Sequence, residues 1–64
     1  MVTQELRDRT GWLMGTLYIN SDSQELRDRH GTYVGKYDQG ANETRDRTGR
    51  LVGSGNLLMT LLSR

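Results

Sequence analysis

Cysteine is absent from the 64 residues, and histidine occurs once, at His30. The first absence excludes disulfides and thiolate metal sites together, and a lone histidine cannot assemble a histidine site within one chain. No metal and no cofactor is expected. Phenylalanine is absent too, tryptophan occurs once, and hydrophobic residues make up 33% of the chain, so the apolar surface available for burial is thin. Ordering a chain costs on the order of 1.5 kcal/mol per residue, which small cores rarely offset without a staple. With disulfides and metals removed, oligomerisation is the staple left, and a homo-oligomer is expected.

Charge of one sign is lacking as well. Nine Lys and Arg stand against eight Asp and Glu, a net charge of +1, so electrostatics names no nucleic-acid or membrane partner. No apolar stretch approaches the roughly eighteen residues that cross a bilayer. Met1 to Leu6 carries no basic region followed by an apolar run, so a cytoplasmic protein is the expectation. Enzyme signatures are missing: no cysteine nucleophile, no GxSxG elbow, no phosphate or dinucleotide loop. His30 falls at an expected turn without a fixed acid partner, and no catalytic residue is assigned.

What the chain does have is repetition. Gln4-Glu5-Leu6-Arg7-Asp8-Arg9-Thr10-Gly11 returns as Gln24-Glu25-Leu26-Arg27-Asp28-Arg29-His30-Gly31, and in altered form as Asn42-Glu43-Thr44-Arg45-Asp46-Arg47-Thr48-Gly49. A second glycine follows each copy, at Gly15, Gly35 and Gly53. The period is about twenty residues, the mark of a duplicated structural unit.

Each copy reads as one β-hairpin. Asp8, Asp28 and Asp46 suit the first position of a type I turn, where a carboxylate accepts backbone N–H bonds. Gly11, Gly31 and Gly49 suit the fourth, where a left-handed residue closes the turn. After the turn, alternation places Leu13, Gly15, Leu17 and Ile19 on one face and Trp12, Met14, Thr16 and Tyr18 on the other. Superposed copies give the layers Leu13, Tyr33, Leu51 and Met14, Val34, Val52, so both faces carry apolar residues. A closed, stacked or subunit-covered sheet is therefore expected. The mid-strand glycines point to bulges, bends or close approach of another backbone.

The expected fold is all-β: a single domain over residues 1–64, with three tandem hairpins at about 3–20, 23–38 and 42–55 and an apolar tail at 56–64. The hairpins would form a pseudo-threefold meander, either a curled sheet or a small barrel-like body. Leu57-Leu58-Met59-Thr60-Leu61-Leu62 reads either as a strand with both faces buried or as a short helix capped by Asn56. The strand is preferred, because the repeat frame would begin a fourth copy there. Leu57, Leu58, Met59, Leu61 and Leu62 are too apolar to leave in water and are the candidate oligomer interface.

The arginines of the triplet, Arg7, Arg9, Arg27, Arg29, Arg45 and Arg47, are the candidate anion or nucleic-acid contacts, with Trp12, Tyr18, Tyr33 and Tyr37 available for stacking. Carboxylates nearby in sequence weaken that field, and the plainer expectation is that Arg7 pairs across strands with Glu5 or its equivalents. A third arrangement would gather the repeat aspartates or arginines at a symmetry axis around a ligand.

Asp46-Arg47-Thr48-Gly49-Arg50-Leu51-Val52 resembles the YD, or RHS, repeats of bacterial polymorphic toxins and teneurins, tandem hairpins with a DxxGRL core. It is also similar to the small β-flower domains. The resemblance implies hairpin geometry and leaves function open. Arg7, Arg27 and Arg45 stand where a YD repeat has tyrosine, and the third copy alone has GRL. Three units are far fewer than the toxin shells use. A compact chain of this sort suits a gene carried on a mobile element, such as an integron cassette. The leading functional expectation is a non-enzymatic, homo-oligomeric binding or protein-interaction module, with a small nucleic-acid binder as the alternative.

Overall fold

The structure, a computed structural model, describes residues 2–62. Six strands run β1 (Val2–Arg7), β2 (Leu13–Ile19), β3 (Ser23–Asp28), β4 (Tyr33–Asp38), β5 (Glu43–Asp46) and β6 (Leu51–Ser54), followed by helix α1 (Leu58–Leu62). Every strand pairs antiparallel with the next in sequence, giving one sheet in the order β1-β2-β3-β4-β5-β6. No described helix is long and apolar enough to cross a membrane.

The Asp-x-x-Gly tetrads make the turns between β1 and β2, β3 and β4, and β5 and β6. In each, the glycine amide donates to the aspartate carbonyl, at 2.9 Å for Gly11, 3.0 Å for Gly31 and 3.0 Å for Gly49. These glycines take φ of 88°, 84° and 88°, a left-handed conformation that closes such a turn without steric cost.

The register then slips by one residue in each of these three strand pairs. Leu6 stands opposite Gly15 but Arg7 opposite Leu13; Leu26 opposite Gly35 but Arg27 opposite Tyr33; Thr44 opposite Gly53 but Arg45 opposite Leu51. The extra residue is Met14, Val34 or Val52. Because opposed residues share a face, the slip carries Leu13 to the face of Arg7, away from Gly15, Leu17 and Ile19 with which simple alternation groups it. Met14 and Val34 pack instead on the core of Leu6, Leu26 and Leu58, with Leu17, Tyr37, Leu61 and Leu62 around it. The apolar residues that alternation spreads over both faces are thus sorted: one face is the core, and the other carries Leu13, Tyr33 and Leu51 beside arginines.

Two expectations are corrected. The sheet is not closed, so the barrel-like body gives way to an open sheet with β1 and β6 as edges. The residue after β6, Gly55, turns to φ 82°, and among the described residues no further strand follows to meet β1. The tail forms a helix over Leu58–Leu62 and not the strand that the repeat frame predicts, and Thr44 supplies the reason. At the position held by Leu6 and Leu26 in the other copies, its hydroxyl donates to the Gly55 carbonyl at 2.6 Å and accepts from the Leu57 amide at 2.9 Å. The chain is thereby pulled off the sheet edge and across the core face. Asn56 Oδ1 then accepts from the Leu58 amide at 3.2 Å as an N-cap. Residues 63 and 64 of the expected tail lie outside the described residues.

The mid-strand glycines belong to this packing. A Cβ at Gly35 would sit 2.7 Å from the Arg45 carbonyl oxygen of the neighbouring strand and 2.6 Å from Leu61 Cδ1. Side-chain volume there would push β5 and the helix away together.

Candidate functional site

The repeated residues are engaged first in building the turns. Asp8 Oδ1 accepts from the Thr10 amide at 2.9 Å, the Thr10 hydroxyl at 2.6 Å and the Trp12 amide at 3.0 Å. Asp46 Oδ1 does the same with the Thr48 amide, the Thr48 hydroxyl and the Arg50 amide, at 2.9, 2.6 and 3.1 Å. Asp28 Oδ1 accepts from the His30 and Thr32 amides at 2.8 and 3.0 Å. These bonds hold the ionised carboxylates. The Thr10 hydroxyl chiefly lowers the Asp8 pKa, the Thr32 amide that of Asp28 and the Thr48 hydroxyl that of Asp46.

Arg7, Arg27 and Arg45 brace the same turns from the strand side. Each donates from Nη1 to the turn-glycine carbonyl, at 2.9 Å to Gly11, 3.0 Å to Gly31 and 3.0 Å to Gly49. Each also pairs with a glutamate, Arg7 with Glu5 at 3.0 Å, Arg27 with Glu25 at 2.7 Å and Arg45 with Glu43 at 3.3 Å. The partner lies two residues back on the same strand, not across strands, because alternate residues share a face. The middle arginine is held further: its guanidinium lies 5.9 Å from the Tyr18 ring centroid and 6.0 Å from that of Tyr33. Burial, and after it the Glu25 charge, raises the Tyr33 pKa. Beside these partners the side chains of Arg7 and Arg45 stay about half exposed, and that of Arg27 is 38% exposed.

The second arginine of each triplet is placed differently. Arg9, Arg29 and Arg47 are exposed at the turns. Arg29 stacks over Trp12 at 5.7 Å and donates from Nε to His30 Nε2 at 3.4 Å. All three turns lie at one end of the meander, yet the repeat aspartates do not gather. Asp28 and Asp46 border one shallow depression with Tyr33 and Arg47, and Asp8 stands outside it. Among the described residues no group of three His, Cys, Asp or Glu is placed to hold a metal ion.

No family model, curated protein or solved structure matches this chain. The surface itself therefore carries the functional reading.

Of the tail residues, Leu58 is 1% exposed within the chain's own core, and Leu61 and Leu62 pack against that core. Leu57 Cδ1 fills the space over Gly53. Met59 alone of the five is half exposed, at 50%. The other exposed large apolar residues among those described are Val2, Trp12 and Leu51. Sequence reasoning missed Thr44, although its signal was present: one threonine where two copies have leucine.

Proposed function

We propose that the chain is a non-enzymatic interaction module made of three tandem copies of one hairpin unit, and that it works as a homo-oligomer. The carrying observation is how little of the sheet the chain covers by itself. Six strands at about 4.8 Å spacing make a sheet roughly 29 Å wide. The five residues of α1 form a helix only about 7.5 Å long and about 10 Å across. Three apolar side chains, Leu6, Leu26 and Leu58, are buried among the described residues. Both sheet edges are open, and folds this small draw on partner subunits when no disulfide or metal is present. Absolute mass by light scattering after size exclusion, over a hundredfold range of concentration, tests the reading. A mass above one chain is expected, and a single-chain mass throughout would remove it.

A second reading, nucleic-acid binding, is favoured by the stacked Trp12 and Arg29 next to exposed Arg9 and Arg47. It expects retention of single-stranded DNA or RNA that weakens as salt rises. Retention that is absent, or indifferent to salt, would discard it.

A further inference from the structure

The two sheet edges are unlike. β6 is four residues long, and the chain leaves the sheet after Gly55, whose amide makes a last bond toward the neighbouring strand, to the Asn42 carbonyl at 2.8 Å. Hairpins within the chain join through five opposed pairs from β2 to β3, Gly15 facing Asp28 through to Ile19 facing Gln24. Four such pairs join β4 to β5, Gly35 facing Asp46 through to Asp38 facing Glu43. The same joint made by β6 would keep only Gly53 and Ser54 in strand conformation. Thr44 and the departing helix therefore blunt this edge, and short edge strands are a common way to prevent pairing.

β1 has no such protection. Its six residues are exposed except for Leu6, and Val2 is 63% exposed. The strand contains no proline or lysine, and its core face, Val2, Gln4 and Leu6, carries no charge. The register slip of the first hairpin places its extra residue on β2, leaving β1 regular. A head-to-tail assembly would need both edges and would meet the blunted one at every contact. Pairing β1 with β1 needs one edge only and closes on itself as a twofold dimer.

Resting on the homo-oligomer reading above, we propose that two copies associate through antiparallel pairing of their β1 strands, with Gln4 opposite Gln4 on the twofold axis. Two requirements fix the register. Opposed residues share a face, so core-face Val2, Gln4 and Leu6 must meet core-face residues, which admits only every second register. Of those that oppose five residues of each copy, one sets Glu5 against Glu5, a like-charge pair that destabilises a sheet. The other sets Val2 against Leu6, Thr3 against Glu5 and Gln4 against Gln4. It covers Val2, the most exposed large apolar side chain among the described residues, with an apolar neighbour, opposes no like charges, and continues the core face from one copy into the next. The product is one continuous twelve-stranded sheet with a blunted β6 at each end.

Because the chain has no cysteine, a single introduced thiol reports this register. Opposed residues of antiparallel strands have Cα atoms about 4.5 to 5.5 Å apart, inside the range a disulfide spans. Gln4→Cys should therefore oxidise to a covalent dimer at least about tenfold faster than Thr3→Cys or Glu5→Cys, whose own symmetry mates lie beyond reach, at about 8 Å. Thr3→Cys mixed with Glu5→Cys should give the heterodimer in preference to either homodimer. Val2→Lys, at an exposed position that leaves the fold intact by circular dichroism, should raise the dimer dissociation constant at least about tenfold by placing a cation on the strand edge. An oligomer whose Gln4→Cys form cross-links no faster than its Thr3→Cys form overturns the β1 joint while the homo-oligomer stands. Masses that climb past two copies with concentration overturn the twofold arrangement, and a monomer at every concentration overturns both.

Discussion

Replacing Thr44 by valine should detach the helix from the sheet. Thr44 is fully buried, and its hydroxyl serves two backbone groups of the departing chain, the Gly55 carbonyl at 2.6 Å and the Leu57 amide at 2.9 Å. Valine preserves the shape and the β propensity and offers neither bond. A backbone group left without its partner costs about 1 to 3 kcal/mol, and partial exposure of these two puts each near the lower end, so the sum is about 2 to 3 kcal/mol. For a domain of this size each kcal/mol moves the midpoint by roughly 4 to 8 °C, so Tm should fall by about 10 to 20 °C. Thermal unfolding followed by far-ultraviolet circular dichroism measures the fall. Amide exchange should show Leu57 and Leu58 losing protection before the strands. Thr44→Ser, which keeps the hydroxyl, should lose only about 1 kcal/mol of packing. Thr44→Leu, the residue of the other two copies, should be worse than valine, since it adds volume and still satisfies neither group. Valine within about 0.5 kcal/mol of the parent would refute the assignment of the tail geometry to this hydroxyl.

Gly35→Ala should cost about 3 kcal/mol, because the added methyl meets a backbone carbonyl that has no free direction to move. Gly40→Ala, whose Cβ would find only Asp38 Oδ1 at 3.5 Å, should leave urea unfolding unchanged. The turn aspartates should make the fold acid-sensitive. Their folded pKa values lie below the ordinary 3.8, so their contribution is whole above that value and is lost as pH falls through the lower folded values. Tm measured against pH should accordingly hold through weakly acid conditions and drop below about pH 4, and a Tm flat to about pH 2 would contradict the capping role.

The turns were the most legible part of the chain, because Asp and Gly at a fixed spacing act locally and need no knowledge of tertiary contacts. Faces were harder. Period-two counting assigns Leu13 to the wrong side because one extra residue, Met14, sits between the partners of Leu6 and Arg7, and a bulge reverses parity without any change in composition. The glycine marked the place without specifying which residue would be the extra one. The tail was misread for a different reason: strand and helix were equally apolar there, and the choice was made by a threonine thirteen residues upstream of the Leu57 amide it holds. For the same cause Leu58 lies in the chain's own core, with Leu61 and Leu62 partly buried against it. The arginine triplet was legible as chemistry but not as division of labour. Arg7, Arg27 and Arg45 brace turns, while Arg9, Arg29 and Arg47 face outward, a distinction set by which residues share the strand's face with Glu5, Glu25 and Glu43.

Whether a second copy completes this fold is tested most directly by thermal unfolding at two protein concentrations a hundredfold apart. If the native state is a dimer, the higher concentration adds about 2.7 kcal/mol per dimer by mass action and raises Tm by about 10 °C. A midpoint that does not move between the two concentrations would mean that the single chain, with its three buried leucines, is stable alone.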